Sequence, residues 1–206
     1  MMAYQRRHSG RTTIESTHIM NAQTPAWLTD WEEAKSASRA ERKPILVDVY
    51  QDNCSGCDRL AGETFIDPAV AKAIASRFIA VKLHLFQDRA IVRDWGLFWT
   101  PTVLSADRTG KIRYESVNYV PADVMLDILD IGEARVAMRW KEMDTAIDRL
   151  LDVERRHPDG PMTAEAIYWR GMAEYFREGN QPATAKRVWA KITDEFPDSI
   201  WAKRQP

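Results

Sequence analysis

The sequence predicts an α/β fold, a mixed sheet flanked by helices, followed by an all-α helical-hairpin extension. Three observations predict it. Short apolar, partly β-branched runs alternate with helical patterns through the first two thirds of the chain, as in a layered α/β domain. The last two runs are joined by a turn signal, which makes the end of the sheet an antiparallel hairpin. From Ala137 onward every pattern is helical. The expected division is a disordered tail over 1–24, an α/β domain over 25–136 and a helical extension over 137–206.

The elements follow in order. Thr29-Asp30-Trp31-Glu32 reads as a capping box that opens a helix to about Glu41, with Pro44 closing it. Ile45 to Tyr50 is a buried strand interrupted by Asp48. A helix starts at Cys57, and Asp67-Pro68 caps the next one, through Val70, Ala73 and Ile74. Phe78 to Leu85 is a second strand, and Asp88 to Trp95 a short helix closed by Gly96. Thr100-Pro101-Thr102-Val103-Leu104 begins a third strand at a proline, and Asp107 to Gly110 turns it into a fourth, Ile112 to Val117. A helix from Pro121 puts Val124, Met125, Ile128, Leu129 and Ile131 on one face. In the extension, Ala146, Leu150, Val153 and Pro158 recur 39 residues later as Ala185, Trp189, Ile192 and Pro197. A small residue at a helix crossing, a large apolar one four later and a terminating proline resemble a tetratricopeptide unit, though the usual period is about 34.

Composition excludes several functions. The 206 residues carry a formal net charge of −1, and no expected segment departs from neutrality by more than a few charges, so no nucleic-acid partner is expected. No stretch reaches the roughly 18 apolar residues of a membrane helix, and the arginine-bearing tail has no apolar signal core, so a soluble cytoplasmic protein is expected. Eight tryptophans and 45% apolar residues argue for a packed core. Only two cysteines occur, Cys54 and Cys57, too few for a disulfide-stapled scaffold.

A lone C-x-x-C serves zinc binding or redox chemistry, or is an inert buried pair. Zinc calls for four ligands, and no second pair or histidine set accompanies this one, so no metal or other cofactor is expected. Position favours redox chemistry. Cys54 stands between a buried strand and a helix start, where backbone N–H groups and the helix dipole stabilise a thiolate.

At these residues the chain resembles the thioredoxin family, over roughly Trp27 to Val136. Asp48 lies six residues before Cys54, like the buried acid of thioredoxins, and Lys82 lies nineteen before Pro101, matching the lysine and the cis-proline. Glu63-Thr64-Phe65-Ile66-Asp67-Pro68-Ala69-Val70 is similar to the output domain of bacterial transmembrane thiol reductases and to related cytosolic proteins. The resemblance implies a thioredoxin-like mixed sheet and a thiol–disulfide oxidoreductase. Cys54 would attack a substrate disulfide and Cys57 resolve the mixed disulfide. Asp48 would relay the Cys57 proton, its pKa raised by burial and opposed by Lys82. Thr100 and a cis Pro101 would bind an extended substrate segment. The implied partners are protein disulfides and a thiol electron donor. The extension offers a surface for a protein partner, and a scaffold that uses the pair as a sensor or a vestige is the competing function.

The sequence departs from thioredoxins at Asn53, Ser55 and Gly56, where the family carries Trp before the pair and Gly-Pro within it. Trp99 stands where glycine is usual and is expected to replace part of the missing groove wall. Asn118, at another usual glycine, is expected to narrow the groove.

Overall fold

A computed structural model describes residues 25–205. The tail expected over 1–24 lies outside them. Five strands form one sheet: β1 (Trp27–Leu28), β2 (Ile45–Tyr50), β3 (Ile79–His84), β4 (Thr102–Ala106) and β5 (Ile112–Val117). Their spatial order is β1-β3-β2-β4-β5. β3 runs parallel to β1 and β2, while β4 is antiparallel to both β2 and β5, so the sheet is mixed. β1 was not expected, because two residues are too few to show a period.

Each face of the sheet carries its own core. Ile45, Val47, Val49, Val81, Leu83 and Leu104 pack on Trp31 and Ala34 of α1 (Trp31–Glu41) and on Val92 of α4 (Arg89–Asp94). Leu46, Ala80 and Val103 face Ile74 of α3 (Pro68–Arg77) and Met125, Ile128 and Leu129 of α5 (Ala122–Arg139). The period of two along β2 puts Asp48 on this second face with Leu46. α1 is capped by Asp30, not by Thr29 as expected: the Asp30 carboxylate accepts the Glu33 N–H at 2.7 Å. Asp67 caps α3 by accepting the Ala69 and Val70 N–H groups.

Helix α5 runs through the boundary expected at 136/137. Every residue from Asp127 to Gly132 is buried, which exceeds one helical turn, so no side of the helix there faces water. Gly132 allows close approach to the sheet, since a Cβ there would lie 2.2 Å from Ser105 Oγ. The opposite side of α5 meets the extension, made of α6 (Met143–Arg156), α7 (Thr163–Arg177), α8 (Pro182–Glu195) and α9 (Ile200–Lys203). Ile131, Ala134 and Ala137 pack with Ala146, Leu150, Val153 and Ala166. Ala164 and Ile167 pack with Ala185, Trp189 and Ile192. The residues related by the 39-residue offset thus occupy two successive helix interfaces.

Two carboxylates of α5 are buried in this junction. Asp127 accepts from Arg156 at 2.5 Å and contacts His157 Nδ1 at 2.8 Å. Asp130 accepts from Arg156 at 2.5 Å and from Arg77 of α3. Asp130→Ala removes the anion shared by Arg77 and Arg156 and leaves each with one other carboxylate, Glu133 and Asp127. Losing hydrogen bonds to charged groups at such a site costs about 1.5–3 kcal/mol. A urea midpoint lowered by that free energy divided by the slope, at unchanged slope, is the expected result, and an unchanged midpoint means that the pairs contribute nothing.

Candidate active site at the Cys54–Cys57 disulfide

β2 ends at Tyr50, and the chain turns through Asn53, whose φ of 56° is one that asparagine tolerates better than most residues. Cys54 then caps α2 (Ser55–Arg59), its Sγ accepting the Cys57 N–H at 3.2 Å. A single π-helical turn, Leu60–Thr64, continues the helix. One turn of helix brings the two sulfurs together, and Cys54 and Cys57 form a disulfide. In the oxidised pair both cysteines are equally buried, at 8% exposure. The Thr100 hydroxyl, 3.5 Å from Cys54 Sγ, supplies part of the cover.

The Thr100–Pro101 peptide bond is cis. Pro101 stacks so closely on α2 that a Cβ at Gly56 would lie 2.9 Å from its Cδ. Gly56 therefore has a steric role that the sequence pattern does not reveal. The loop is also tied at its other side. Asn118, at φ 78°, donates its N–H to the Pro101 carbonyl at 2.9 Å and accepts the Trp99 indole N–H on Oδ1 at 2.7 Å. Trp99 and Asn118, both singled out as departures, thus form one clasp over the proline loop. Trp99 stays 55% exposed and presents its ring to solvent beside the disulfide.

Asp48 and Lys82 are paired in the β2–β3 register. Asp48 is 3% exposed, with Oδ2 3.5 Å from Lys82 Nζ and no hydrogen-bond partner for Oδ1 among the described residues. Burial pushes its pKa up from 3.8 to about 6, against the pull of the Lys82 ammonium. That ammonium lies among the rings of Trp27, Tyr50 and Phe65, at 5.1 to 6.0 Å from their centroids. Two further groups went unnoticed in the sequence. His84 accepts the Phe86 and Gln87 N–H groups on Nδ1 and points Nε2 at Asp52, 3.4 Å away. Arg59 stacks on Tyr119 at 3.7 Å and pairs with Glu63, which also accepts the Tyr119 hydroxyl proton. Among the described residues no three histidine, cysteine or acidic side chains are grouped to hold a metal ion.

A mixed sheet with a C-x-x-C disulfide at a strand–helix junction, a cis-proline loop against it and a buried acid on the adjoining strand defines a thiol–disulfide domain of the thioredoxin type. Residues 31–132 match the family described as thioredoxin-like domain, and this part of the chain belongs to it. The thiol:disulfide interchange protein DsbD of Escherichia coli K12 is 29% identical over 103 residues, 47% of this chain and 18% of that protein. The chain thus matches less than a fifth of that relative's length. A thioredoxin from Thermus thermophilus aligns with a TM-score of 0.48 at 18% identity, covering 54% of this chain and 92% of that one. The oxidised C-terminal domain of DsbD from Neisseria meningitidis aligns with a TM-score of 0.42 at 24% identity, covering 48% and 93%.

The Asp48 carboxyl makes a pH-dependent contribution to stability. Below about pH 4 it is protonated in both folded and unfolded chains. Between 4 and 6 the unfolded chain releases the proton and the folded protein retains it, so stability falls as pH rises. Above pH 6 the loss is complete, at roughly 3 kcal/mol for a pKa raised from 3.8 to about 6. Asp48→Asn is expected to be the more stable protein by about that amount at pH 8, converging with wild type below pH 4. Denaturation curves of the two proteins that stay parallel from pH 3 to pH 8 refute this.

Proposed function

We propose that the protein reduces protein disulfides through Cys54 and Cys57. The observation that carries the reading is the Cys54–Cys57 disulfide seated against the Thr100–Pro101 loop, within reach of an approaching segment. In the reduced protein the Cys54 thiolate attacks one sulfur of a substrate disulfide. A Cys54–substrate bond forms, the substrate S–S bond breaks, and the departing thiolate takes a proton. Cys57 then loses its proton and attacks Cys54 Sγ. The Cys54–Cys57 disulfide forms and the second substrate thiol leaves. Two electrons pass from the pair to the substrate, and a thiol donor restores the dithiol.

Asp48 is the acceptor of the Cys57 proton in this reading. A carboxyl with pKa about 6 can take a proton from a thiol and return it near neutral pH, which an ordinary exposed aspartate does poorly. Lys82 holds that value down. The cis Pro101 and the Thr100 backbone present an extended edge to the substrate. The proposed setting is the cytoplasm, where thiol systems supply reductant.

The extension is assigned a second task, docking a protein partner in the manner of tetratricopeptide helices. Phe176 and Ile200 are exposed on it, and a cavity of about 300 Å³ opens beside Met172, Tyr175 and Trp189. If docking is the whole function, partner capture depends on residues 137–206 and is indifferent to both cysteines.

Insulin reduction with dithiothreitol separates the two. Wild type is expected to accelerate it, Cys54→Ser to add nothing over dithiothreitol alone, and Cys57→Ser to accumulate a mixed disulfide that dithiothreitol releases. Wild-type turnover by Cys54→Ser overturns the oxidoreductase reading.

A further inference from the structure

A groove of about 470 Å³ opens beside the reaction centre, between α4 and the loop that leads to Pro101. Thr100 lines it, and Thr100 also touches Cys54 Sγ, so whatever fills the groove lies next to the attacking sulfur. Three of the seven exposed large apolar side chains among the described residues stand on its walls: Phe86 at 66%, Phe98 at 84% and Trp99 at 55% exposure. A large aromatic group at 84% exposure has almost no contact with its own protein, and three together form an apolar patch of the kind that marks a binding surface.

The charges of the groove have one sign. Arg89 and Arg93, one helical turn apart on α4, are its only charged lining residues, and neither forms an ion pair with a described residue. Of the acids nearby, Asp94 follows Arg93 at the end of α4 without lining the groove, and two others are engaged elsewhere. Asp88 accepts the His84 N–H at 2.6 Å, and Asp52 faces the His84 ring. An apolar segment alone would leave both guanidinium groups without a counter-charge, and a small anion alone would leave the three rings in water.

We propose that this groove selects protein disulfides whose reactive cysteine is flanked by an aromatic residue and a carboxylate. The inference rests on the oxidoreductase reading and adds the substrate class. The aromatic side chain fills the space between Phe86, Phe98 and Trp99. The carboxylate pairs with Arg89 or Arg93 at the rim, where solvent-exposed charge pairs act chiefly on encounter and orientation.

The test uses the full chain, reduced beforehand with dithiothreitol and freed of it. It is offered three short peptides, each carrying one cysteine as a mixed disulfide with 2-mercaptoethanol. The cysteine is flanked by Phe and Asp, by Phe and Lys, or by Gly and Asp. Single-turnover release of the peptide thiol is followed at low salt. The Phe–Asp peptide is expected to react roughly two- to fivefold faster than the Phe–Lys peptide, the range that one exposed ion pair supplies, and also faster than the Gly–Asp peptide, which lacks the ring. The Phe–Asp over Phe–Lys ratio is expected to shrink in 0.5 M salt and to invert in the R89E/R93E double variant. The ratio is the readout because a damaged fold slows both peptides alike, and the salt series on wild type stands without the variant. Equal rates for the three peptides, with a small disulfide such as hydroxyethyl disulfide still reduced, overturn the groove assignment alone. Failure to reduce any disulfide overturns it together with the oxidoreductase reading. A wild type that sediments as a dimer and a double variant that sediments as a monomer give the groove to a second copy and overturn the proposal.

Discussion

Burial of α5 on every side is the constraint from which the rest of the architecture follows. A helix that packs on a sheet normally shows water its other face, and polar residues collect there. Here the other face supports α6 and α7, so Asp127 and Asp130, which ordinary patterning would place in water, are enclosed. An enclosed carboxylate needs cations, and they come from both sides: Arg77 from the sheet-packed α3, Arg156 from α6. The same residues that neutralise the helix therefore tie the two halves of the described chain together. Tyr114 of β5 adds a second tie through its hydroxyl bond to Glu165 of α7, and Arg135 stacks on Trp169 at 3.6 Å.

Asp48 is buried to the same degree and treated differently. It has one cation, at 3.5 Å, and one oxygen without a hydrogen-bond partner. Desolvation then outweighs the single charge, and its pKa rises to about 6. Asp127 and Asp130 each have two side-chain partners, Arg156 and His157 for the first, Arg156 and Arg77 for the second. The contrast separates structural acids from one suited to exchange a proton. An incompletely satisfied carboxyl is costly to the fold, and such groups concentrate where chemistry requires them.

What the sequence reveals is governed by distance along the chain. Cys54 and Cys57 are legible because one helical turn joins them. Asp48, Lys82, Thr100 and Pro101 are legible through the resemblance to thioredoxins, with Asp48 six residues before Cys54 and Lys82 nineteen before Pro101. The salt-bridged junction is not, since Arg77 and Asp130 are 53 residues apart and Asp127 reads locally as a solvent-facing acid on an amphipathic helix. Gly56 reads as the absence of a proline until Pro101 is found against it. Asn118 reads as a loss of glycine, yet asparagine tolerates the positive φ and adds a carbonyl that holds Trp99. The two departures make sense only as a pair, and residues 19 apart on different segments give no local hint of it.

The chain has only these two cysteines, so no internal relay of electrons through a third thiol can operate within it. Reduction and oxidation of the pair must then pass through the same two sulfurs, both of which are 8% exposed when bonded. Substrate and donor cannot occupy that space together. In the proposed cycle each would approach the loop at Thr100 and meet the same aromatic and cationic wall beside it. If the groove selects substrates as proposed, it constrains the donor as well. A negatively charged partner gains in encounter rate on both half-reactions, and a positively charged one loses on both. An alternating cycle of this kind favours partners that bind weakly and leave quickly. A rim of exposed arginine charges suits that demand better than a deep, fully desolvated pocket, because it raises the rate of arrival without prolonging the stay.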